Sequence, residues 1–189
     1  MTLLMANART PRDNWITAGL RVLAEGGVDA VRIESLAREL GVTKGGFYGY
    51  FADRPALLGE MLDVWERDVT DTVIERTEAD GGDARTRLGR LFRIAAYGDG
   101  VLTDITTDSA VRDWARRDPA VAERLRRVDN RRLAYLRALF GELFTDADEV
   151  EIRASLCFMV WVANRSLDLD HGSRDPAAFM AGIQRFLVA

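Results

Sequence analysis

Apolar residues recur three and four positions apart along almost all of this 189-residue chain, the spacing of helices with one buried face. Residues 12–25 place Trp15, Ile16, Gly19, Leu20 and Leu23 on one such face. Gly26-Gly27 then ends that helix, because glycine enters the left-handed region without steric cost. A second helix over residues 33–40 carries Ile33, Leu36, Ala37 and Leu40, and Gly41 follows it. Thr43 can cap a very short third helix over residues 44–50. Asp53 can cap a fourth, with Pro55 in its first turn, where a missing N–H costs nothing. That fourth helix runs through Leu57, Leu58, Met61, Leu62 and Trp65 toward Thr77.

Residues 79–83, Ala-Asp-Gly-Gly-Asp, break the periodicity. Further helices are predicted over residues 84–97, 105–116, 119–144, 147–168 and 175–188. No strand-like alternation or internal repeat interrupts them, so the predicted fold is all-α. Three short helices with a tight turn between the second and third are the plan of a helix-turn-helix. Ala37 is small enough for the crossing of the two helices, Gly41 makes the turn, and Val42 locks it. Phe47 and Phe51 point inward in this reading, while Thr43, Lys44, Tyr48 and Tyr50 point out. The expected division is a helix-turn-helix domain over residues 1–55 and a helical domain over residues 56–189.

Charge changes this picture little. The formal net charge is −4, whereas residues 1–60 balance seven basic against seven acidic side chains. DNA responds to the local footprint, so the total permits binding without arguing for it. Lys44 is the only lysine among the 26 cations. The arginine-rich stretch over residues 112–137 reads as a solvated helix face with i,i+4 pairs, such as Glu123–Arg127 and Asp113–Arg117. One cysteine, Cys157, excludes an intramolecular disulfide and reads as a packed small hydrophobe. No apolar run approaches the roughly 20 residues that span a bilayer, and no signal-peptide pattern opens the chain, so a cytoplasmic protein is expected. With one histidine and no ligand-spaced carboxylates, neither a metal site nor a catalytic triad emerges; no enzyme and no cofactor are expected.

The segment I-E-S-L-A-R-E-L-G-V-T-K-G-G-F-Y-G-Y-F-A-D-R-P-A-L-L at residues 33–58 resembles the signature of the tetracycline-repressor (TetR) family. That family carries a pattern of the type I-A-x-x-x-G-V-S-K-G-T-L-Y-x-H-F-x-x-K-x-x-L over its helices two to four. The matching positions are Leu36, Ala37, Gly41, Val42, Thr43, Lys44, Gly45, Phe47, Tyr48, Phe51, Arg54 and Leu57. The resemblance implies that helix three enters the major groove and that Arg32, Thr43, Lys44, Gly45, Gly46, Tyr48, Tyr50 and Arg54 meet DNA. Arg54, where the family usually has lysine, would pair with a phosphate. Three further positions depart from the pattern: Gly46 replaces a small hydroxyl residue, Tyr50 a histidine, and Arg32 a serine or threonine. With Gly45, Gly46 and Gly49 the recognition helix is nearly bare, and close approach of its backbone to DNA is expected to replace part of the side-chain readout.

The resemblance also implies a dimeric regulator, a repressor by family default, that binds a pseudo-palindromic operator through a DNA-binding domain over residues 1–55 and is released by a small-molecule effector held in a ligand-binding and dimerisation domain over residues 56–189. The last two helices would form the dimer interface through Ile152, Leu156, Met159, Val160, Ala163, Phe179, Ile183 and Phe186. The expected ligand-lining residues are Trp65, Phe92, Tyr97, Trp114, Tyr135, Phe140, Phe158 and Trp161, each of which also fits as plain core. His171 falls in a loop. The alternative is an all-α ligand carrier or protein-interaction module that has lost DNA binding.

Overall fold

The computed structural model describes residues 11–97, 105–167 and 175–189, and every regular element among them is helical. Helix α1 (Arg12–Gly26) ends where Gly27 takes φ +73° and donates its N–H to the carbonyl of Leu23 at 2.9 Å. A single 3-10 turn, Val28–Ala30, leads to α2 (Ile33–Glu39) and then α3 (Lys44–Phe47). Gly41, at φ +66°, makes the bend between α2 and α3, and the Val42 N–H closes onto the carbonyl of Ala37 at 2.9 Å. Helix α4 (Arg54–Arg67) is capped by Asp53, whose carboxylate accepts from the Ala56 N–H at 2.8 Å, with proline in its first turn. Gly19 marks where α1 and α4 cross: a methyl group there would lie 2.6 Å from Met61 Sδ.

The sequence predicts one uninterrupted helix from residue 54 to about 77. The chain does stay helical to Glu78, but a π-turn over Asp68–Thr72 separates α4 from α5 (Val73–Glu78). Residue periodicity carries no mark of such a turn. The remaining helices are α6 (Ala84–Tyr97), α7 (Ile105–Ala115), α8 (Pro119–Gly141), α9 (Ala147–Ser166) and α10 (Pro176–Val188). Asp118, Asp146 and Asp175 each cap the helix that follows them.

Two apolar clusters hold these helices together. The first joins α1–α4 through Trp15, Leu23, Leu36, Phe47, Leu57, Met61 and Trp65, and extends to Val111 and Trp114 of α7 and Val121 and Val128 of α8. The second joins α6, α8, α9 and α10 through Leu88, Phe92, Leu136, Phe140, Ala154, Cys157 and Leu187. The first core therefore runs past residue 55 and includes parts of α4, α7 and α8. Among the described residues, only α8 contributes buried residues to both.

Candidate nucleic-acid interface

The helix-turn-helix is built from inside outward. Phe47 is fully buried, with Trp15 edge-on at 5.3 Å and Phe51 stacked at 5.1 Å. This aromatic triplet fixes the short α3 against α1, which its few backbone hydrogen bonds could not do alone. Arg12 packs its guanidinium over the Phe51 ring and pairs with Glu60 of α4. On the outside, Tyr48 is 53% exposed and lies edge-on to Phe47.

Lys44 is exposed and paired with Glu34 of α2. Their bond holds the Glu34 carboxyl below the usual carboxylate range and raises the Lys44 ammonium. Sequence reasoning missed Glu34, because no helical spacing rule links residues ten apart on different helices. Arg32 is exposed, and its Nε donates to the Asp29 carbonyl at 3.2 Å. Gly45 and Gly46 have no positive φ, and a methyl group on Gly46 would meet no atom within 4 Å. The fold therefore does not require glycine at 46, although glycine weakens a helix.

Three expectations need correction. Thr43 stands at the N-cap position of α3, but its side chain makes no capping hydrogen bond. Tyr50 is half-buried against the first core rather than fully turned outward. Arg54 directs its guanidinium at main-chain carbonyls, with Nε donating to Val31 at 2.6 Å and Nη2 to Val28. It thus pins the 3-10 turn that precedes α2, a role that a surface phosphate contact did not suggest.

Among the described residues, the aromatic residues expected to line a ligand site divide between the two cores. Trp65 is fully buried in the first core, and Trp114 lies at its edge. Phe92, Tyr135, Phe140, Phe158 and Trp161 belong to or pack against the second, with Phe92 and Trp161 edge-on at 5.2 Å. The Tyr135 hydroxyl donates to Glu78 at 2.5 Å, and burial followed by that bond raises its pKa. The side chain of Tyr97, and His171, lie outside the described residues. Trp114 and Arg54 border a cleft of about 560 Å³ between the 3-10 turn, α4, α7 and α8.

The expected interface residues lie on α9 and α10. Ile152, Leu156, Met159 and Ala163 follow each other at helical spacing on α9, and the first three are exposed. On α10, Phe186 is 77% exposed. Phe179 and Ile183 help to line a groove of about 500 Å³ with it. Val160 is half-buried.

The arrangement of α1–α3 is that of a helix-turn-helix domain. Residues 16–61 match the family model described as bacterial regulatory proteins, tetR family. The N-terminal helices of this chain are thus similar to the DNA-binding domain of that family, over about a quarter of its length. No curated protein matches it in sequence. Solved structures share its fold at low identity. A transcriptional regulator from Rhodococcus sp. Rha1 is 18% identical with a TM-score of 0.69, covering 95% of this chain and 94% of its own. A TetR/AcrR-family regulator from Thermobifida fusca is 17% identical with a TM-score of 0.61, covering 94% and 96%. The transcriptional regulator FadR from Bacillus subtilis, solved with stearoyl-CoA, is 18% identical with a TM-score of 0.61, covering 95% and 98%. Among the described residues no helix is long and apolar enough to cross a membrane.

Proposed function

We propose that this chain regulates transcription by binding a pseudo-palindromic operator as a homodimer, and that a small molecule held by its C-terminal half releases it. The observation that carries this reading is the exposed apolar stripe Ile152, Leu156, Met159 on α9, with Phe186 exposed on α10, in a chain whose residues 16–61 match the tetR-family model. An isologous pair covers that stripe with a copy of itself. The pair would present two α3 helices about one duplex turn apart, ~34–36 Å. Lys44, Tyr48 and Arg32 would meet phosphates and groove edges, and the open backbone at Gly46 would lie against the duplex. Phosphate contacts position the protein, and base edges specify the site. Arg54 acts indirectly in this reading, by holding the turn that carries Arg32.

Release by an effector is a population shift. A ligand that prefers dimers with misplaced α3 helices withdraws them from the operator by its difference in affinity for the two states. The stearoyl-CoA held by B. subtilis FadR supports placing an effector in a chain of this fold, without naming it for this one. Repression follows the family default, and the chain acts by binding rather than by catalysis. Selection of binding sites from random duplexes tests the reading: enrichment of an inverted repeat is expected. A pool with no enriched sequence would favour a ligand carrier instead.

A further inference from the structure

Between the two apolar cores lies a layer of charge. Asp108 of α7 is only 3% exposed. Its carboxylate accepts from Trp65 Nε1 of α4 at 3.3 Å, Arg112 Nε at 3.1 Å and Arg132 Nη2 of α8 at 2.8 Å. Arg112 also grips Asp129 of α8 with both terminal nitrogens, at 2.8 and 2.6 Å. Two aspartates and two arginines thus balance in charge while tying three helices together. Arg132 makes one more bond: its Nε donates to the main-chain carbonyl of Val69 at 3.2 Å, inside the π-turn.

The position of this layer is what gives it meaning. Along α8, Val128 belongs to the first core and Leu133 and Leu136 to the second, with Asp129 and Arg132 between or beside them. Along the α4–α5 helix, Trp65 belongs to the first core and Val73 packs on the second, with the π-turn between. Both helices that pass from one core to the other are therefore polar at the same level. A buried ion layer adds little net stability over an apolar one, but it accepts only one register. A π-turn is a local widening often retained where a helix has a task. An apolar contact could slide at this level, whereas forked arginine–carboxylate bonds cannot without breaking.

We infer that Asp108, Arg112, Asp129 and Arg132 form the joint that sets the angle of the DNA-binding half against the rest of the chain, with Arg132 positioning the π-turn. None of the four is assigned to DNA contact, so their influence on the operator would act through the placement of α3. The effect on DNA rests on the reading proposed above; the joint itself does not.

The test uses Arg132→Lys, which keeps the charge beside Asp108 but loses the fork that spans to Val69, and Asp129→Asn, a partly exposed member whose loss is better tolerated. Spin labels at Ala52→Cys and Thr145→Cys, both exposed, report the distance between the two halves. Cys157 is fully buried and stays unlabelled. Labelled chain diluted into unlabelled chain restricts the reading to distances within one protomer. The expected result is a folded variant with a distribution at least 1.5-fold broader and, in unlabelled protein, roughly tenfold weaker binding to the selected duplex. A tenfold loss corresponds to about 1.4 kcal/mol. An unchanged distribution in both folded variants overturns the joint. A broadened distribution with unchanged affinity overturns its role in placing α3. Should the unsubstituted chain bind no duplex, the proposed function fails, and the distance distribution still decides whether the joint exists.

Discussion

Helices α1–α4 and helices α9–α10 treat their apolar side chains in opposite ways. In the first group Trp15, Leu23, Leu36, Phe47, Leu57 and Met61 are all fully buried, and Tyr48 is its only large apolar residue left exposed. In the second group Ile152, Leu156, Met159, Leu167 and Phe186 all reach the surface. Closing its own core leaves the first group a polar outer face, as a partner covered in phosphates requires. Leaving its core open gives the second group an apolar face, which a second copy can cover. In the function proposed above, the contrast gives each end its own partner: nucleic acid for α3, another protomer for α9 and α10.

The contrast is broken most severely by removing its anchor. Phe47→Ala empties the centre of the aromatic triplet and is expected to cost about 3–5 kcal/mol, read by denaturant unfolding. A cost under ~1 kcal/mol would mean that α3 is held by something other than Trp15 and Phe51. Leu156→Glu places a charge in the exposed stripe. The expected outcome is a monomer by sedimentation, an unchanged helical spectrum, and operator binding weakened by a factor of ten or more, since each protomer then holds only one half-site.

Smaller changes sharpen the assignment of α3. Glu34→Gln releases Lys44 from its carboxylate and is expected to raise duplex affinity several-fold, with binding measured at fixed salt. Gly46→Ala separates fold from function by sign. A methyl group there meets nothing, so thermal stability should rise by roughly 0.5–1 kcal/mol. Operator affinity should fall, because the methyl group would come between backbone and duplex. A variant that gains stability and keeps its affinity would show that the bare helix is not read closely. The smallest effect is at Cys157, whose thiol is pushed up to about 12 by burial. Raised pKa means stability is intact below the ordinary thiol value near 9 and declines between there and 12, as the unfolded chain ionises first. Thiol-reactive dye at pH 8 should therefore label unfolded chains only.

Much of this was legible from residue order, and the failures share a cause. Local signals were enough for the helices: Gly27 and Gly41 adopt the positive φ that their positions imply, and Asp53 caps α4. The pairs Asp113–Arg117 and Glu123–Arg127 follow from helical spacing and are present. Arg112 and Arg132 looked like members of the same solvated face, yet they meet Asp129 and Asp108 within the molecule. Arg54 looked like a phosphate ligand, yet it holds the carbonyls of Val28 and Val31. An arginine's partner is decided by what the fold brings across from it, and sequence spacing does not reach between helices. The aromatic candidates divide between two cores for the same reason: bulk and periodicity identify core residues without saying which core.

The separation of the two faces is tested most directly by the mass of the protein–DNA complex. Sedimentation of the chain with a selected duplex, combined with footprinting, should give two chains per duplex and protection centred on two half-sites about one helical turn apart, ~34–36 Å. One chain bound to a single uninterrupted site would contradict the account, because the apolar face of α9 and α10 would then have no part in reading DNA.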